Sequence, residues 1–122
     1  MVWKFHDRKP IYNQIIDFFK VGILSGEYGP GSKILSVREL AEEARVNPNT
    51  MQKAMSELEK QNLIFAQSTV GRFITEDDTL IAKIREEYID TNVSEFCGLM
   101  QKMGYEKDEV MNKIDNNYGK GI

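Results

Sequence analysis

Within the thirty residues from Leu35 to Ile64 the chain starts a helix, stops it, and starts another two residues later. So short a break obliges the two helices to pack at an angle across a tight turn. Ser36 opens the first: its hydroxyl can accept from an unpaired backbone N–H while Glu39, three residues on, reaches back in a capping box. Leu40, Ala41 and Ala44 then share the inward face. The chain breaks at Arg45 and Val46 and restarts with Asn47 as N-cap and Pro48 at the first helical position, where the missing N–H does no harm. From there Met51, Ala54, Met55 and Leu58 recur at intervals of three and four and form a buried stripe, which leaves Asn49, Thr50, Gln52 and Lys53 outward. Short polar side chains at a helix N-terminus suit nucleic acid. Asn and Gln pair with adenine, Thr reaches bases or the thymine methyl, and the open backbone amides bind phosphate. Thr50 also admits a plain capping role, whereas Met51, Ala54 and Leu58 read as core.

Upstream, Pro10 stands where a first helical turn tolerates it, and Ile11, Ile15, Phe19 and Ile23 repeat every four residues, a stripe that predicts a helix ending near Gly26. Glu-Tyr-Gly-Pro-Gly-Ser is then a loop, and Ile34 begins a very short strand. Downstream of Leu63 and Ile64, two β-prone runs flank Ser68, Thr69 and Gly71 and predict a hairpin. Phe73 and Ile74 would anchor it on the helices and hold Ser68, Thr69 and Arg72 outward, against DNA.

From Asp77 the pattern turns to a long helix ending near Met103, with Gly104 at C′ and Lys102 in the last turn. Its apolar positions fall on two adjacent stripes: Ile81, Ile84 and Tyr88, then Ile89, Val93, Phe96, Met100 and Met103. That is wider than one neighbour needs. A shorter helix from Glu106 carries Val110, Met111, Ile114 and Tyr118 on one side, and the last seven residues read as frayed. Forty-odd residues cannot easily bury so much apolar area alone. Pairing with the same hairpin of a second chain is the economical solution, with Ile81, Ile84, Tyr88, Val93, Phe96, Met100 and Ile114 in the seam. The alternative is that both helices fold back onto the N-terminal domain.

Composition narrows the function. Hydrophobic residues make up 41% and charged residues 29% of 122, ordinary for a folded soluble protein. No apolar run approaches the ~20 residues of a membrane span, and Met-Val-Trp-Lys-Phe-His lacks a signal peptide's apolar segment, so the expected location is the cytoplasm with no membrane partner. The single cysteine, Cys97, excludes an intrachain disulfide and reads as a buried structural thiol. One histidine, His6, near an end expected to be mobile, leaves little material for a metal or catalytic site, so neither a metal, a cofactor nor an enzyme is expected. Net charge is −3, but residues up to Glu76 hold 10 Lys and Arg against 9 Asp and Glu, while Asp77 onward holds 6 against 10. The acidity lies in the tail, so the first part can still present a basic surface through Lys4, Arg8, Lys9, Arg38, Lys53 and Arg72.

Over roughly the first 75 residues the chain resembles the GntR-type bacterial transcription regulators. The resemblance is carried by Pro10, Tyr12, Gln14 and Ile15; Gly26 and Gly31; Ser36, Arg38, Leu40 and Ala41; Val46, Asn49, Thr50 and Ala54; Leu58, Leu63 and Ile64; and Gly71 and Phe73. The short two-helix tail is similar to that of the small YtrA-like branch. The resemblance implies a mainly α fold with a small β hairpin: a winged helix-turn-helix DNA-binding domain over 1–76 and a C-terminal two-helix dimerisation hairpin over 77–122. It also implies a homodimer that binds a palindromic double-stranded DNA operator, usually as a repressor. Arg38 would contact DNA from the start of the second helix, Asn49, Thr50 and Gln52 would lie in the major groove beside Asn47 and Lys53, and the wing tip from Ser68 to Gly71, with Arg72, would approach the minor groove. Leu35 stands where the family usually has proline, Asn47 where it often has serine, Asn62 where glycine is common, and Thr69 where the wing's first glycine is expected. A protein-interaction module without DNA affinity is the rival reading, favoured by the acidic net charge. A small effector between the tail helices is compatible with the pattern, but no residue cluster locates its pocket.

Overall fold

The computed structural model describes residues 1–120 and divides into two compact units, Met1–Ile84 and Arg85–Ile122. In chain order the elements are α1 (Ile11–Leu24), β1 (Lys33–Ile34), α2 (Val37–Ala44), α3 (Pro48–Lys60), β2 (Ile64–Gln67), β3 (Gly71–Ile74), α4 (Asp78–Lys102) and α5 (Lys107–Asn117). The fold is mainly helical with a small antiparallel sheet, a winged helix-turn-helix arrangement.

In the first unit Ile15, Phe19 and Ile23 of α1 meet Leu40 of α2 and Met51, Ala54, Met55 and Leu58 of α3 in a fully buried core, with Ile11 half-buried at the stripe's edge. Each helix boundary has a local cause. Ser36 Oγ accepts from the Glu39 amide at 3.1 Å and Glu39 Oε1 from the Ser36 amide at 3.1 Å, closing the capping box of α2. Asn47 Oδ1 accepts from the Asn49 amide at 2.7 Å, and Pro48 follows at the first position of α3. Both helices then stop in the same way. After α2, Arg45 takes the left-handed conformation (φ 57) while the Val46 amide donates to Ala41 O; after α3, Asn62 does so (φ 62) while the Leu63 amide donates to Leu58 O. These six-to-one bonds, with Arg45 and Asn62 also bonding back to Glu42 O and Glu59 O, are Schellman caps. The position where the family commonly has glycine, Asn62, is thus one that needs positive φ.

The sheet runs β1-β3-β2, with Lys33 opposite Phe73, and Ile64, Phe65 and Gln67 opposite Ile74, Phe73 and Gly71. Ile74 and Ile64 are buried against the helices. Successive strand residues face opposite ways, so Phe73 cannot share that anchoring role: it stacks on Phe65 across the strand pair, ring centroids 5.8 Å apart. This corrects the expectation that Phe73 and Ile74 both hold the wing to the helices.

The first ten residues are tied down as well, contrary to the mobile end expected around His6. Buried Gln14 donates from Nε2 to His6 O at 2.8 Å and to Lys9 O at 2.7 Å, and its Oε1 accepts from the His6 amide at 3.1 Å. Trp3 stacks on Phe18, centroids 4.2 Å apart.

Asp77 Oδ1 accepts from the Leu80 amide at the start of α4, and Ile81 is buried in the first unit. In the second unit, α4 ends at Lys102 with Gly104 (φ 81) at C′, the Tyr105 amide donating to Met100 O. Glu106 and Glu109 cap α5 by a mutual box. This helix holds to Asn117, so Asn116 and Asn117 are not frayed, while residues 121 and 122 lie outside the described ones. Val110 is the only buried side chain among the described residues of this unit. Cys97 is exposed rather than the buried thiol expected, because it sits on a helix with little in its own unit to cover it.

Candidate nucleic-acid interface

Burial on one side of α3 decides what its other side offers. Met51, Ala54, Met55 and Leu58 are solvent-free, which turns Asn49, Gln52 and Lys53 out to solvent and leaves Thr50 half-buried. Asn47 is exposed, but its side chain is committed to capping the helix. Gln52 Nε2 donates to Ser56 Oγ at 3.1 Å, one turn along. The polar face thus stands at the N-terminus of α3, the positive end of the helix dipole.

Arg38, in the first turn of α2, has an 88% exposed side chain. Its contact with Glu42 is a 3.6 Å surface pair four residues on, the kind worth well under ~1 kcal/mol, so the guanidinium can exchange it for another anion. Hydrogen bonds from the Ser36 backbone and then its hydroxyl hold the Glu39 carboxyl below its ordinary pKa, with Lys33 adding to the effect. Glu39 is thus an anion spent inside its own cap.

The second cluster lies between the start of α2 and the wing tip, where Lys33, Leu35, Ser36, Glu39, Thr69, Val70, Gly71 and Arg72 line one cleft. Ser68 and Thr69 are exposed, and the turn is closed by the Val70 amide donating to Gln67 O at 2.8 Å. Positive φ in this turn falls on Ser68 (φ 38) and Gly71 (φ 134), not on Thr69, so threonine stands at the expected glycine position without backbone strain. Gly71 is favoured by its φ, while a Cβ there would come 3.0 Å from Cε of the flexible Lys33 side chain, a contact that a small shift of that chain relieves. Arg72 turns from the wing to α3, where its Nε forms an ion pair with Glu59 Oε1. Periodicity does not mark Lys33 as part of this cleft; it enters through its pairing with Phe73 across the sheet, which single-helix patterns do not encode.

The tail positions are distributed unevenly. Val93 and Phe96 are 55% and 42% exposed, whereas Ile84, Tyr88, Met100 and Ile114 are half-buried and Ile81 is covered within the first unit. Val93, Phe96, Met100, Tyr105, Val110 and Ile114 line an apolar groove between α4 and α5. Among the described residues no group of three or more His, Cys, Asp or Glu is placed to hold a metal ion, and no helix is long and apolar enough to cross a membrane.

The family model of bacterial regulatory proteins of the gntR family matches residues 11–74, which spans α1 through β3. The chain belongs to the GntR family. Its similarity to the transcriptional repressor YtrA of Bacillus subtilis is 46% identity over 68 residues, covering 56% of this chain and 52% of YtrA. A solved GntR family transcriptional regulator from Listeria monocytogenes is 36% identical with a TM-score of 0.83, covering 92% of this chain and 98% of the Listeria chain, so the likeness extends through the tail. The DNA-binding domain of AraR, solved in complex with operator ORX1, is 26% identical with a TM-score of 0.54 over 59% of this chain and 93% of that one. This GntR protein is thus a bacterial-type transcription regulator with the family's helix-turn-helix and wing.

Proposed function

We propose that this GntR protein binds a palindromic DNA operator as a homodimer and represses transcription from it. The observation that carries the reading is the outward polar face of the first turns of α3, where Asn49, Thr50, Gln52 and Lys53 stand on a helix whose opposite face is fully buried. Arg38 and the wing tip at Ser68, Thr69 and Gly71 flank that face with phosphate and minor-groove contacts. Kinship with a named repressor and with a domain solved on its operator supports the same role. The exposed apolar side chains of α4 and α5, Val93, Phe96 and Leu99 among them, supply the surface for a second copy.

The test is a fluorescence titration of operator duplex at several salt concentrations, with wild type, Arg38→Ala and Thr50→Ala. Wild-type affinity falls steeply with salt as counterions are released. Thr50→Ala loses about tenfold, on the scale of one base contact, and Arg38→Ala loses a similar factor with a shallower salt slope. Both variants keep the wild-type melting temperature. Wild-type affinity in both would remove these residues from the interface, and absence of any salt-dependent binding would favour a protein-interaction module instead.

A further inference from the structure

Past its base-facing turns, α3 carries a second polar surface. Thr50, Gln52, Lys53, Ser56 and Lys60 form one wall of an open groove whose other side is Tyr12, half-buried in the first turn of α1. Lys53 and Lys60 are seven residues, or two turns, apart and so lie on one side of the helix, about 10 Å from each other along its axis. Among the described residues neither forms an ion pair, whereas Lys9, Arg38 and Arg72 each do. Glu57, which also borders the groove, has its Oε2 engaged by Gln61 Nε2 at 3.1 Å.

Length decides what this surface can meet. The 13 residues of α3 measure about 20 Å, but the DNA major groove is only about 8.5 Å deep. A helix that enters N-terminus first, with those turns against base edges, therefore carries its last turns up to the level of the sugar-phosphate backbone. We propose that Lys60 and Tyr12 grip the backbone phosphates at the edge of each half-site, the ammonium as a charge and the phenol as a hydrogen-bond donor. Lys53 marks the boundary between the two zones. This pair gives affinity and orientation without sequence choice. The inference rests on the DNA-binding reading above and adds to it one residue of α1, Tyr12.

The experiment uses the full chain and two duplexes of equal length, one selected from a random library by wild-type binding and one unselected. Affinities for wild type, Lys60→Ala, Lys60→Arg and Tyr12→Phe are measured from about 50 to 200 mM salt. Lys60→Ala weakens both duplexes by a common factor, leaves their ratio unchanged, and lowers the slope of log affinity against log salt by about one per half-site. Lys60→Arg restores the slope. Tyr12→Phe weakens both duplexes by about tenfold and keeps the slope, since it removes a donor and no charge. Circular dichroism melting confirms that all variants fold. Unchanged affinity and slope in Lys60→Ala would overturn the proposal, as would a loss confined to the selected duplex, which belongs to a base reader. Failure of wild type to bind either duplex overturns the DNA-binding reading itself, and the proposal with it.

Discussion

At the scale of single residues, two kinds of contact hold the chain in place: caps closed within one helical turn, and pairings that reach across many residues. Ser36 with Glu39, Asn47 with Pro48, and Gly104 all act where local chemistry places them, because a cap needs only neighbours within four residues. Gln14 clipping the N-terminal arm and Trp3 on Phe18 carry no period, and their partners lie 5 to 15 residues away. Gly22 belongs to the second kind. A Cβ on it would come 2.2 Å from the ring of Tyr28, whose own amide donates to Gly22 O at 2.9 Å. Gly22→Ala therefore destabilises the protein by about 1–3 kcal/mol in urea unfolding, the usual cost of overpacking. In a Tyr28→Ala background the sign reverses, because helix propensity then favours alanine by about 1 kcal/mol. The same loss in both backgrounds would exclude the ring as its cause.

At the scale of elements, the joint between α2 and α3 sets how α3 is presented, and its geometry depends on Arg45 holding φ 57. Left-handed backbone costs a side-chain-bearing residue roughly 1–2 kcal/mol that glycine does not incur. Arg45→Gly accordingly gains about 1 kcal/mol of stability, read as a higher denaturant midpoint at unchanged slope. A loss would mean that the arginine side chain has a stabilising partner outweighing the strain. Asn62 solves the same problem after α3 at lower cost, since Asn tolerates this region. The wing shows where element-level reading fails. Hydrophobic β-prone residues announced two strands, but period two puts Phe73 and Ile74 on opposite faces, and only tertiary context told which one met the helices. Arg72, read as a wing contact, is paired with Glu59 for the same reason: its direction depends on the sheet's place beside α3.

At the scale of the whole molecule, the two units differ in how far they complete themselves. The first buries a full core, while the second leaves Ile89, Val93, Phe96, Leu99, Met103 and Met111 exposed by 42–59%. Two stripes of apolar residues on α4 already showed this surplus, though composition alone left open what covers it. A homodimer seam at this surface predicts that Phe96→Glu, burying an unpaired charge in each copy, shifts sedimentation from dimer to monomer at micromolar concentration and weakens operator binding more than tenfold. The first unit's core stays intact. A Phe96→Glu protein that still sediments as a dimer would place the seam elsewhere.

The central claim, that two copies of the polar α3 face read DNA together, is tested most directly by selecting duplexes from a random-sequence library with the wild-type chain and sequencing those retained. The account predicts an inverted repeat whose half-sites are centred about 34 Å, one helical turn, or a whole multiple of it apart. Retained duplexes with no sequence in common beyond the starting library would contradict it.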